Sequence, residues 1–208
     1  MHIDLSALSS NRVYHLMTQT IIPRPIAWVL SLNEDKSHNL APFSYFNAVC
    51  SDPPLMMLSM GKKPDGSAKD TVTNLQVGAE CIVHIAHAAQ ADIVTRTAAS
   101  MPYGDSEVTA NNVVLTHQED WPLPRIKDCP IAYYCKVHSI QELGNTPQQL
   151  VFVEALLLYV DDRAIQNTEE NQQEGRMTID ALAVNPLARL GAAQYASLGK
   201  VFSKVRPD

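Results

Sequence analysis

Apolar positions along this chain come in short runs separated by polar breaks, and their spacing predicts strands more often than helices. Between Pro23 and Met60 three extended segments follow one another: the run through Ile26, Trp28, Val29 and Leu32, the mixed stretch Asn39 to Asn47, and Leu55 to Leu58. β-Branched and aromatic side chains favour strand, and Asn33-Glu34-Asp35-Lys36-Ser37 is the kind of polar cluster that joins two antiparallel strands. Three such segments in succession predict a β-meander. Pro42 lies inside the second one. It has no N–H for a ladder, so it predicts a sheet edge or a bulge, where backbone groups face either water or a planar ligand.

Further along, Cys81 to Ala86 reads as a buried strand. Ile131 to His138 and Gln149 to Val160 read as two long strands joined through Gly144-Asn145-Thr146-Pro147, most simply an antiparallel hairpin. With the first three segments they supply about six antiparallel strands, enough to close a barrel and remove exposed edges. Helices are predicted at the periphery. Ser9 or Ser10 caps one bearing Val13, Leu16 and Met17, placed to plug a barrel end; a second starts near Asp70-Thr71; a third spans Ala88 to Ser100. Met101 to Asn112 is polar, holds Gly104, and is expected to be a mobile surface excursion that could cover a ligand. Asn167 to Gly175 is a polar loop. The apolar tail from Met177 onward packs either on its own barrel or across a neighbouring subunit. No linker or internal repeat divides residues 1–208, which read as one mainly β domain with flanking helices.

Charge narrows the function classes. The chain carries a formal net charge of −6, which argues against a nucleic-acid partner, since phosphate backbones need a dense positive patch. The longest apolar run, Leu150 to Val160, has Glu154 in its middle and falls short of the roughly 20 residues of a membrane span. Met1 to Leu5 lacks the basic and apolar regions of a signal peptide, so a cytoplasmic location is expected. Cys50, Cys81, Cys129 and Cys135 have no metal-ligand spacing and are expected to be structural thiols; no metal site is expected.

The loop Gly61-Lys62-Lys63-Pro64-Asp65-Gly66-Ser67 has the glycine separation of a P-loop, but Ser67 stands where lysine is required, which excludes that nucleotide site. Lys62, Lys63 and Lys69 nevertheless gather at a helix start beside the hydroxyl of Thr71, a suitable set for a phosphate group. The alternative is that Asp70 merely caps the helix and the lysines are solvated. A GxGxxG fingerprint is absent, so a Rossmann domain is not expected.

Pro23-Arg24-Pro25-Ile26-Ala27-Trp28-Val29, then Asn39-Leu40-Ala41-Pro42-Phe43-Ser44-Tyr45-Phe46-Asn47, Ser51-Asp52-Pro53-Pro54 and Lys69-Asp70-Thr71 together resemble the flavin reductase-like family of FMN-binding split β-barrels, of the flavoredoxin and nitrilotriacetate monooxygenase reductase-component type. Arg189-Leu190-Gly191, Tyr195-Ala196 and Arg206-Pro207 extend the likeness to the C-terminal segment. The resemblance implies an FMN-containing homodimer that takes hydride from NADH or NADPH. It places Lys69-Asp70-Thr71 close to the FMN phosphate; since a carboxylate there would compete for the same donors, Asp70 is expected to cap locally while Lys69, Thr71 and Ser59 face the ligand. Under it the isoalloxazine lies along Ala41 to Asn47, where backbone groups of Ala41, Phe43 and Ser44 meet its polar edge beside Pro42 and Tyr45. Trp28 and Ser31 contribute from the preceding strand. Arg24 offsets phosphate or ring charge or pairs with a surface carboxylate, and Asn39 and Asn47 bond the ring or close turns.

Hydride transfer between two flat rings needs stacking, edge hydrogen bonds and exclusion of water, and no acid or base need act. No catalytic side chain is therefore assigned. Three functions remain open: an NAD(P)H-dependent flavin reductase, an FMN electron carrier serving an acceptor protein, and a binding barrel without flavin.

Overall fold

The computed structural model describes residues 1–145, 148–166, 177–205 and 207. The expected loop from Asn167 to Gly175 lies outside the described residues, as do Arg206 and the Thr146-Pro147 part of the predicted hairpin turn.

A two-residue strand, β1 (Arg24–Pro25), precedes β2 (Ala27–Leu32), which turns at Asn33–Ser37 into β3 (His38–Phe43). The turn is fixed by Asp35, whose Oδ1 accepts the Ser37 N–H at 2.9 Å, and by Lys36 in the left-handed region. β4 (Phe46–Ser51) and β5 (Pro54–Met60) form a second hairpin, and β6 (Glu80–Ile85) follows. A short ribbon of β7 (Leu115–Thr116) and β8 (Arg125–Ile126) precedes the long hairpin of β9 (Ile131–Leu143) and β10 (Gln148–Val160). Seven strands make one antiparallel sheet in the order β3-β2-β6-β9-β10-β5-β4.

That order corrects the meander. The stretch Asn39 to Asn47 is not one strand but two, broken at Ser44-Tyr45, and its halves occupy opposite edges of the sheet. The dipeptide bridges those edges because the Ser59 N–H of β5 donates to the Tyr45 carbonyl at 2.8 Å. Six strands thereby curl into a barrel, with β4 paired outside the seam. Pro42 sits on the edge strand, where its missing N–H breaks no ladder.

Inside the barrel lie Val29, Phe43, Leu58, Met60, Val83, Val151 and Val153, together with Val72 of α2 (Asp70–Asn74), which follows α1 (Ser10–Thr20) in the chain, and Leu75 just past its end. Outside β2, β6 and β9 a second apolar layer forms, where Trp28, Leu30, Leu40 and Ile82 meet Val94 of α3 (Ala91–Arg96) and Val108 of α4 (Glu107–Ala110). Burial on both faces explains why β2 shows no polar alternation. Each fully buried aliphatic side chain contributes roughly 1.5–3 kcal/mol.

The helices differ from expectation in three ways. α1 buries only Thr18, so α2, not α1, plugs the barrel. The segment from Ala88 is a 3-10 turn capped by His87, followed by α3, which ends at Arg96. The excursion after Met101 carries α4, which is docked on β3: Ser106 Oγ donates to the His38 carbonyl at 2.6 Å, and the Leu40 N–H donates to Glu107 Oε2 at 3.0 Å. Two side chains thus stand in for a neighbouring strand at the sheet edge.

The remaining elements brace the ends. β11 (Ile165–Gln166) pairs with β12 (Thr178–Ile179), α5 (Ala181–Val184) follows, and β13 (Ala188–Arg189) lies between β1 and β14 (Tyr195–Ala196). β5 covers β10 only from Gln149 to Glu154. Beyond that, Leu156, Leu157 and Leu158 are 42% to 50% exposed. Among the described residues no helix is long and apolar enough to cross a membrane.

Candidate functional site

A cleft of about 320 Å³ opens beside the edge strand β3. Asn39, Ala41 and Pro42 form one wall; Lys62, Lys63 and Lys69-Asp70-Thr71 form the second; Thr97 to Met101, with Glu107, close the third. The walls come from segments far apart in sequence, and each is held by its own packing.

α2 is short, five residues, so the side chains gathered at its start matter more than its dipole. Its N-cap is Lys69, not Asp70, and no side chain caps it. Asp70 is buried at the first helical position, with Oδ1 2.5 Å from Lys63 Nζ. The Lys63 ammonium also donates to the Met101 carbonyl at 3.3 Å, which ties the second wall to the third. Lys69 lies with its Nζ 5.3 Å from the centre of the Phe43 ring, and burial pushes its ammonium below the ordinary lysine range. Among the described residues Lys69 has no carboxylate partner, and a half-buried cation of this kind favours an anion beside it.

Behind the cleft a polar ladder fixes the floor. Asn39 Nδ2 donates to Thr71 Oγ1 at 2.9 Å and to Ser31 Oγ at 3.2 Å, while Asn74 Nδ2 donates to Asn33 Oδ1 at 2.8 Å. Thr71 Oγ1 is an acceptor in this ladder, which leaves its O–H free to donate elsewhere. Ser31 is fully buried and stands one layer back.

Other residues singled out from the sequence lie elsewhere. Trp28 points into the outer apolar layer with no exposed surface, and its Nε1 donates to Thr97 Oγ1 at 2.9 Å, so it reaches the cleft only through Thr97. Arg24 is buried but pairs with no carboxylate among the described residues: its guanidinium donates to the carbonyls of Thr18, Ile21 and Leu190, stitching the end of α1 to the residue after β13. Ser44, Tyr45 and Ser59 gather at the barrel seam, half-buried, with the Tyr45 ring 6.1 Å from that of Tyr14. Burial lifts the Tyr45 phenol above its usual range. Asn47 is exposed on β4, its Oδ1 accepting the Ala48 N–H at 3.0 Å. The lysine-lined cleft and the seam are therefore separate features, with Ala41, Pro42 and Phe43 running between them along β3.

Thr97, Ser100 and Glu107 are additions that the sequence reading passed over. Thr97 and Ser100 carry no local signal, but Ser106-Glu107 is a capping serine followed by an acid, the signature of a helix start. Among the described residues no group of three or more His, Cys, Asp or Glu side chains is placed to hold a metal.

Comparison with known proteins gives consistent results. Residues 17–177 match the family model described as a flavin reductase like domain. A Bacillus subtilis protein, YwrF, is 31% identical over 97% of this chain and 96% of its own. Among solved structures, nitrilotriacetate monooxygenase component B from Bacillus cereus is similar at 30% identity and a TM-score of 0.86, covering 98% of each chain. Pseudomonas fluorescens 2-nitrobenzoate 2-nitroreductase NbaA is similar at 28% identity and a TM-score of 0.85, covering 100% of this chain and 96% of its own.

Proposed function

The chain belongs to the flavin reductase like domain family, and from that premise we propose that it binds FMN and accepts hydride from NADH or NADPH as a flavin reductase. The observation that carries this reading is the desolvated Lys69 ammonium, which lines a cleft with Lys62, Lys63 and the hydroxyls of Thr71 and Ser100. A phosphate group meets all of these as charge and hydrogen-bond partner. In this reading Lys69 and Thr71 hold the phosphate, Asn39 orients the Thr71 hydroxyl, and Asp70 keeps Lys63 in place.

Ala41, Pro42 and Phe43 then lead from the cleft to the seam, where Ser44, Tyr45, Asn47 and Ser59 surround the ring. Arg24, Trp28 and Ser31 act from behind, as the braces of α1, Thr97 and Asn39 respectively. The bound flavin supplies the hydride-accepting chemistry. The protein's share is to orient the ring and exclude water, and none of these residues need move a proton.

The same reading includes a homodimer. Along the free edge of β10, Leu156, Leu157 and Leu158 are all exposed, and Val49 on the outer strand β4 is also exposed. A long apolar strand edge is unfavourable in water unless covered, and a second copy is the cover proposed here.

The test is gel filtration of the protein after addition of FMN, followed by anaerobic NADH or NADPH. Co-eluting flavin absorbance that either nicotinamide bleaches, with turnover on added free flavin, is expected. A protein that stays colourless when saturated with FMN removes the flavin reading. Bound flavin that neither nicotinamide reduces removes the reductase and favours an electron carrier.

A further inference from the structure

Glu107 lines the same cleft as Lys62, Lys63 and Lys69, yet it carries the wrong charge for a phosphate site. It is buried, and it is not free to leave, because its Oε2 accepts the Leu40 N–H of the edge strand and its neighbour Ser106 is bonded to the His38 carbonyl. Swinging it out would strip β3 of its edge partners.

The charges around it are already partly matched. Lys63 faces it from the loop but is committed to Asp70, a second buried carboxylate from the start of α2. Lys62 and Lys69 stand on the same cleft wall as Lys63. From β3 the nearby titratable group is His38, whose imidazole burial and His117 hold below the usual histidine range, and so unprotonated near neutral pH. A phosphomonoester is mostly a dianion above about pH 6. Entering this cleft, it would confront two carboxylates in a setting of low dielectric. Protonating Glu107 removes one of those charges without disturbing the fold, since Oε2 still accepts from Leu40 while the other oxygen gains a donor.

We propose that Glu107 is the charge-regulating residue of the cleft, taking up one proton when a phosphomonoester dianion binds and returning it as a hydrogen bond to the ligand. The inference rests on the flavin reading for its ligand. Burial already raises the Glu107 carboxyl above the usual range, and Asp70 raises it further, against the opposing pull of the Leu40 N–H and Lys63. A bound dianion pushes in the same direction. The sign follows: proton uptake accompanies binding, and affinity falls as pH rises above the carboxyl's value in the empty cleft.

Calorimetric titration of FMN in two buffers of different ionisation enthalpy counts the protons. About one proton per FMN is expected for the wild type, with affinity falling by up to about tenfold per pH unit. Glu107→Gln should take up almost none and bind with a flat pH profile, and riboflavin, which has no phosphate, should take up none with either protein. Infrared difference spectra of the wild type add a test that needs no variant: FMN should bring in a protonated-carboxyl band.

FMN bound without proton uptake, or without that band, overturns the inference while leaving the flavin reading intact. Uptake that persists in Glu107→Gln overturns it too, since another group then takes the proton. Absence of any FMN binding removes both.

Discussion

At the scale of the residue, burial decides what each ionisable group can do. His84 is fully buried, with Nδ1 donating to the Trp28 carbonyl at 3.0 Å and Nε2 accepting the Ile126 N–H at 2.9 Å. Burial is the main reason its pKa falls to about 4, with the Arg125 charge adding to it and the Trp28 bond opposing it. Since the folded state resists the proton, His84 contributes full stability above the ordinary histidine value of 6.5 and loses it as pH falls toward 4. The span corresponds to roughly 3 kcal/mol. His84→Gln keeps a donor and an acceptor but does not titrate, so its unfolding free energy should fall less steeply over that window in denaturant melts; parallel slopes would refute the assignment.

Lys69 is the complementary case. Lys69→Met should weaken FMN by about 2 kcal/mol, the worth of a charged hydrogen bond, and leave riboflavin affinity unchanged. Equal losses for both flavins in binding titrations would place the phosphate elsewhere. Of the four cysteines, only Cys50 is exposed, while burial pushes the Cys129 thiol up to about 12. Native alkylation followed by mass mapping should therefore modify Cys50 alone.

At the scale of the element, α4 is the least self-sufficient piece, four residues held by Ser106 and Glu107 to the edge of β3. Ser106→Ala removes the cap and the bond to the His38 carbonyl, and should cost about 1–2 kcal/mol in chemical denaturation. Hydrogen exchange should also speed up at Leu40. Full protection there would mean that the docked side chains are dispensable.

Strands were legible in the sequence because their patterns are local: β2, β6, β9 and β10 all fall where β-branched and aromatic runs predict them. Lys69-Asp70-Thr71 likewise announces a helix start. The sequence of α4 suggests a loose excursion because its anchors lie on β3, and Asn39 to Asn47 suggests one strand because nothing in Ser44-Tyr45 says that the chain leaves one sheet edge for the other. Trp28 reads equally well as a ligand-stacking ring or a core residue. Only the outer layer, assembled from α3, α4 and β8, decides that it is core. Thr97 and Glu107 entered the cleft by tertiary placement alone.

At the scale of the whole molecule, the half of β10 beyond Glu154 has β9 on one flank and no strand of β5 on the other, which is where the proposed second copy would pack. Leu157→Glu places a charge in the exposed row and should yield a monomer by light scattering while the circular dichroism of the sheet is retained. A variant that elutes as the wild type would show that this edge is not the contact.

The seam at Ser44-Tyr45 also bears on how the chain is made. β5 pairs inside the sheet with β10, so after Met60 has left the ribosome this strand must wait, one flank unpaired, until Gln148–Val160 is synthesised. The barrel can close only when that last long strand arrives. Nascent chains cut before β10 should bind holding chaperones, and release from them should coincide with the emergence of that strand.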